Sequence, residues 1–111
     1  HLVELVNELS DLELRWYAWW TTQTAADIAK KYDLKAQHAN WLEAFDFTKV
    51  ENLPEETKPI PDAGEAILGS GGTRALYEDG SFGGDYQADP KIMQEMFDAC
   101  LQDVLKLLAF D

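Results

Sequence analysis

Cysteine, histidine and arginine are nearly absent from this chain. Cys100 is the single cysteine, His1 and His38 are the only histidines, and Arg15 and Arg74 are the only arginines. One cysteine excludes an intrachain disulfide and any Cys-x-x-Cys metal or redox motif. Cys100 falls on an apolar helical stripe, where a thiol acts as a small buried hydrophobe. One interior histidine leaves no His-x-His or His-x-x-x-His pair, so the chain itself offers no metal ligands in a recognised spacing. Long apolar runs are missing too, which excludes a membrane-spanning helix, and no signal peptide is visible. Ser10, Ser70 and Ser81 lie in no nucleophile-elbow motif. No internal repeat or low-complexity tract is present.

Positive charge is in short supply. Twenty-one acidic residues face nine basic ones, for a net charge of −12. Lys30-Lys31 is the only adjacent basic pair. Nucleic acid and anionic membrane surfaces are therefore not expected partners, because both need clustered Lys and Arg. A self-repelling protein of the cytoplasm is the expectation, and an acidic protein that binds a basic partner is the sharper alternative.

What remains is rich in aromatics. Four Trp, four Tyr and five Phe sit among 46% hydrophobic residues, enough for one domain of 111 residues with a packed core. Leu2, Leu5, Val6, Leu9 and Leu12 fall at helical spacing, with Glu4, Glu8 and Asp11 opposite. No N-cap precedes this helix and no initiator Met stands before His1. These two features set the expectation that a preceding segment lies on another polypeptide or was removed.

Residues 13–20 are rich in strand-favouring aromatics and predict a strand. Thr21, Thr22 and Thr24 offer caps for a helix through about Tyr32, with Ala25, Ile28, Ala29 and Tyr32 inward. Asn40 caps a further predicted helix through about Val50. Pro54, Pro59 and Pro61 mark a polar connection. All seven glycines lie within 64–84, which predicts a long shaped loop or a pair of short edge elements. Asp89 and Pro90 open a final helix with an apolar face running from Ile92 to Leu108. One strong strand cannot form a sheet alone. Either the glycine-rich segment hides strands or strands from elsewhere complete the sheet.

The candidate chemistry centres on His38-Ala39-Asn40-Trp41-Leu42-Glu43. On one straight helix His38 and Glu43 would point about 140° apart and could not touch. They converge only if Asn40 is the N-cap, with His38 before the helix and Glu43 in its first turn. A carboxylate there would orient the imidazole for general acid–base work. The competing reading makes Asn40-x-x-Glu43 a capping-box-like pattern in which Glu43 only satisfies a backbone N–H. Trp41 could wall the same pocket or belong to the core. Trp19 and Trp20 would face opposite sides of the predicted strand, so one could line a pocket. Residues 69–74, Gly-Ser-Gly-Gly-Thr-Arg, could cradle an anion or be a tight turn, and they lack a P-loop ending. Arg74 could clamp a carboxylate or be a surface charge.

Taken together these pieces resemble the C-terminal half of the creatininase (creatinine amidohydrolase-like) family. His38, Ala39 and Glu43 match a His-Ala-Gly-x-x-Glu-Thr-Ser motif, while Asn40, Ala44 and Phe45 depart from it. The opening helix, the aromatic segment Leu14–Trp20, Leu53-Pro54, and the run from Gly83-Gly84-Asp85 to Asp89-Pro90 resemble that family's elements in order. The resemblance implies an α/β fold, the C-terminal half of a mostly parallel sheet flanked by helices and completed by an N-terminal half not in this chain. Residues 1–111 would then be a single domain fragment or small subunit.

The resemblance further implies hydrolysis of the C–N bond of an amide or cyclic amide. His38 and Glu43 would be the catalytic pair, and Trp19, Trp41 and Arg74 are candidate substrate contacts. Divalent metal ions, zinc or manganese with iron a third choice, would be bound mainly by the missing half. The implied partners are that half or a second subunit, a small amide substrate and further copies in an oligomer. The alternative from a different class is a non-catalytic acidic binding protein or inhibitor with aromatic anchors. A third is a structural subunit that has lost the chemistry, which the replacement of Thr-Ser by Ala44-Phe45 keeps open.

Overall fold

The computed structural model describes residues 1–9, 11, 13–62, 64 and 68–109. Helix α1 spans Leu2–Leu9 and has no buried residue. Its leucine stripe faces outward, with Leu2, Leu5 and Leu9 all exposed. Leu12, expected on the same stripe, and Ser10 lie outside the described residues.

The predicted strand over 13–20 does not form. Residues 13–18 run without a ladder and end in a 3-10 turn, Trp19–Thr21. A strand must pair its N–H and C=O groups with a neighbour. Here a side chain supplies the partner: Leu14 N donates to Asn7 Oδ1 at 2.7 Å, and Asn7 Nδ2 donates to the Leu14 carbonyl at 3.3 Å. The hydroxyls of Thr21 and Thr22 donate to the carbonyls of Ala18 and Trp19, which tightens the turn that follows.

Helix α2 spans Gln23–Lys31 and starts where a threonine caps it, with Thr22 accepting from Ala25 N at 3.2 Å. Ala25, Ile28 and Ala29 face inward and are buried. Asn40 is also a cap, but of a single 3-10 turn, Trp41–Glu43, not of a helix reaching Val50. Beyond it Ala44 leaves the helical region, and the Thr48 hydroxyl takes the carbonyls of Glu43 and Phe45. A side chain that bonds nearby carbonyls in this way competes with continuing the helix.

The sheet is small. Strand β1, Thr57–Lys58, pairs antiparallel with β2, Gly84–Asp85, in the register Thr57 to Asp85 and Lys58 to Gly84. This overturns the expected mostly parallel sheet flanked by helices, because the described residues pair only these two short strands. β2 lies in the glycine-rich segment, and β1 lies in the connection read as merely polar. Gly83 explains part of that placement. Its φ is +97°, and a Cβ there would come 2.7 Å from the Ile60 Cα. Only glycine lets the backbone turn and approach β1's end this closely.

The remaining glycines of that segment hold a surprise. Residues Ser70–Tyr77 form helix α3, N-capped by Gly69, so the segment read as a tight turn or an anion cradle is instead regular helix. Helix α4, Pro90–Leu107, follows the sequence expectation, with Asp89 accepting from Lys91 N and Pro90 in the first turn.

The core lies where α2, α4 and residues 41–45 meet. Trp41 and Met96 are fully enclosed, and Ile28, Leu42, Phe45, Met93 and Cys100 pack around them. Two polar devices fasten the elements. Asp103 on α4 accepts from Thr24 on α2 at 2.5 Å, and Glu95 on α4 accepts from Lys31 and Tyr32 at the far end of α2. Among the described residues no helix is long and apolar enough to cross a membrane.

Candidate functional site

A cleft of about 1110 Å³ opens beside this core. It is lined by Trp19, Trp20, Phe45, Phe47, Phe97, Leu101 and Val104, and also by Gln37, His38, Glu43 and Phe82. Two aromatic clusters build it. Trp20 meets Trp19 edge-on, Trp19 meets Phe45, and Phe45 stacks on Phe47, which meets Phe97. Separately, Phe82 presents an edge-to-face contact to His38 at 5.3 Å and stacks on Tyr77 at 4.0 Å.

His38 and Glu43 are brought together. Nδ1 of His38 lies 3.0 Å from Oε1 of Glu43, with the two side chains 68% and 47% exposed. The Asn40 cap makes this possible: its Oδ1 accepts from Leu42 N, starting the 3-10 turn that carries Glu43 back toward the preceding residues. Ala39 adopts a positive φ of 51°, which turns the chain between His38 and the cap. The same Glu43 oxygen accepts from Ala39 N at 2.9 Å. The carboxylate therefore contacts the imidazole and a backbone N–H at once, the latter on Ala39, one residue before the Asn40 cap.

His38 is held from a second direction by the glycine-rich segment. Phe82 N donates to the His38 carbonyl at 3.0 Å. That segment is pinned in turn by Lys58, whose ammonium donates to the Tyr77 and Ser81 carbonyls and to Asp79. The bond from Lys58 holds the Asp79 carboxyl down at about 2, and Asp79 pushes the Tyr86 phenol up to about 12. Asn40 joins the two halves, since its amide donates to both the Lys35 and Gly83 carbonyls. On the other wall burial pushes the Tyr17 hydroxyl up to about 12 and raises the Cys100 thiol, so both stay protonated near neutral pH.

The other candidates are placed differently. Trp19 lines the cleft, half-buried. Trp41 sits in the core at 0% exposure, its Nε1 donating to the Lys35 carbonyl, and is not part of the cleft lining. It supports the pocket from behind. Arg74 is exposed on α3, away from the cleft lining. Sequence reasoning missed Phe45, Phe47, Phe82 and Phe97. The Phe45-x-Phe47 alternation was the available signal for the first two, while Phe82 reaches His38 only through tertiary structure.

The divalent metal centre that the resemblance implies has no donor set here. Among the described residues no group of three or more His, Cys, Asp or Glu is placed to hold a metal ion. These residues do not fit that centre by themselves. Comparison with protein-family models, with curated proteins and with solved structures returns no match.

Proposed function

We propose that His38 and Glu43 move protons in the hydrolysis of a C–N bond of an amide or cyclic amide held at the mouth of the cleft. The observation that carries the reading is the 3.0 Å pair between His38 Nδ1 and Glu43 Oε1, set against apolar walls. Glu43 on Nδ1 favours the tautomer that leaves Nε2 as the working nitrogen. Among the described residues Nε2 forms no hydrogen bond. Water adds to the carbonyl carbon as Nε2 accepts its proton. Nε2 then returns that proton to the departing nitrogen as the C–N bond breaks, with Glu43 balancing the imidazolium in between. Any divalent ion in the reaction would be held mainly by a partner chain, as no group of three or more His, Cys, Asp or Glu is placed for one among the described residues. The expected compartment is the cytoplasm.

The test is amine release from a panel of small amides and cyclic amides by the native purified protein, together with any chain that co-purifies. The His38→Ala variant is expected to lower kcat by roughly 10²–10⁴. Turnover that survives this change unaltered removes His38 from the mechanism. A second reading, an acidic binding protein without catalysis, is favoured by the exposure of Trp20 and Phe47 on the cleft wall. It predicts binding without turnover.

A further inference from the structure

The molecule exposes too much surface for its mass. Its accessible area is 8572 Å². A compact monomer of 12.6 kDa would expose about 6,200 Å². Its radius of gyration is 17.3 Å against about 13 Å expected for this length. The excess, about 2,400 Å², is larger than the ~800 Å² each partner contributes to an ordinary stable interface.

Exposed apolar side chains lie on helix α1, at Leu2, Leu5 and Leu9, and also on one wall of the cleft. Trp20 is 54% exposed, Phe47 73%, and Phe97 and Leu101 41% each. Large aromatics that are partly packed among themselves are the residues that anchor protein interfaces.

Charge selects among occupants. Among the described residues no Lys or Arg lines the cleft, and Glu43 does. Exposed Asp46, between Phe45 and Phe47 in sequence, is paired with Lys49 at 3.3 Å, and exposed Asp98 follows Phe97. A second copy would bring a further net charge of −12 to the complex. A basic partner gains where a second copy is repelled.

We propose that the open aromatic wall docks a polypeptide whose apolar face is ringed by Lys and Arg, and that this partner roofs the His38–Glu43 pair. The docking stands on surface and charge alone, whereas the value of the roof rests on the proposed hydrolase reading. A covered cleft excludes bulk water beyond the reacting molecule and strengthens the electrostatics around the pair.

The experiment titrates the native protein with two synthetic helices of about 16 residues that share one leucine stripe, one flanked by Lys and the other by Glu. Tryptophan fluorescence and calorimetry report binding at about 50 and 300 mM salt, and sedimentation reports self-association. The Lys-flanked helix is expected to bind at least ~10-fold tighter than the Glu-flanked one and to weaken with salt. Phe47→Ala, at a largely exposed position, is expected to cost ~10-fold in affinity, and Trp20→Ser a similar factor. Equal or absent binding of the two helices overturns the proposal. So does indifference to both substitutions, or a stable homodimer that protects Phe47. Amide turnover is followed in the same samples. Charge-selective binding without turnover upholds the docking and removes the hydrolase reading, while turnover without it does the reverse.

Discussion

One face of α4 sets Met93, Met96 and Cys100 against α2 and Trp41, and all three are buried. The neighbouring face of the same helix carries Phe97 and Leu101, which line the open cleft and remain 41% exposed. Both faces are apolar, so hydropathy does not separate them. The difference lies in what the chain brings to each. On the first face α2 and the 41–45 segment supply close-packed neighbours and leave no buried side-chain polar atom without a partner among the described residues. On the second, the chain supplies only a shallow aromatic lining. One face is a finished core, and the other has the chemistry of a core with one side missing.

The largest effect should come from breaking the finished face. Trp41 combines full enclosure with a hydrogen bond to the Lys35 carbonyl. Trp41→Ala is expected to destabilise by about 3–5 kcal/mol, the usual cost of removing a buried indole. Urea denaturation checks it. A loss below about 1 kcal/mol would mean the core is not the stabilising centre.

Gly83 comes next, because it couples the core to the cleft mouth. An added Cβ meets the Ile60 Cα and the Pro59 carbonyl oxygen at 2.7 and 2.8 Å, in a left-handed conformation. Gly83→Ala is expected to cost about 1–3 kcal/mol from backbone strain and to displace Phe82 from His38. Stability and the His38 ring resonances should therefore change together. A stable variant with unmoved His38 signals would separate the two halves of the site.

A smaller effect is carried by pH. Asp79 is held at about 2 chiefly by Lys58, and Tyr86 is pushed to about 12 chiefly by Asp79. A depressed carboxyl stabilises the fold above its unfolded value and loses that contribution as pH falls from about 4 to 2. A raised phenol stabilises below its unfolded value and loses its contribution as pH rises from about 10 to 12. The pair should thus flatten stability between these limits. Tyr86→Phe should remove its own share of the alkaline loss, leaving the share carried by the raised Tyr17 hydroxyl, and should leave most of the acid one, because Lys58 still holds Asp79. Denaturation midpoints across pH read both arms.

Much of the finished core was legible in the sequence, and much of the cleft was not. The α2 stripe of Ala25, Ile28 and Ala29 and the α4 opening at Asp89-Pro90 are local signals, written at helical spacing and in capping chemistry. The convergence of His38 and Glu43 was legible for the same reason, since the Asn40 cap constrains only five residues. The aromatic strand was misread because strand propensity counts side chains, whereas a strand needs a backbone partner. Asn7 took that place for Leu14. Helix α3 was hidden by glycines, which lower helix propensity without forbidding a helix held by its surroundings. Phe82 was out of reach because its position beside His38 depends on residues 57–58 pairing with 84–85.

The smallest stability effect belongs to the unfinished face, and it tests the comparison most directly. Phe47 is largely exposed and touches only Phe45 and Phe97 among the described aromatic rings. If the cleft wall were part of the core, Phe47→Ala would cost the several kcal/mol of a buried ring. If it is an interface waiting for a partner, the isolated protein should lose under about 0.5–1 kcal/mol. The same substitution should remove part of the apolar surface that attracts the partner, so binding falls while stability hardly moves. Measuring both on one variant separates a packing residue from a docking residue. A large stability loss would transfer Phe47 to the core and close the cleft wall as an interface.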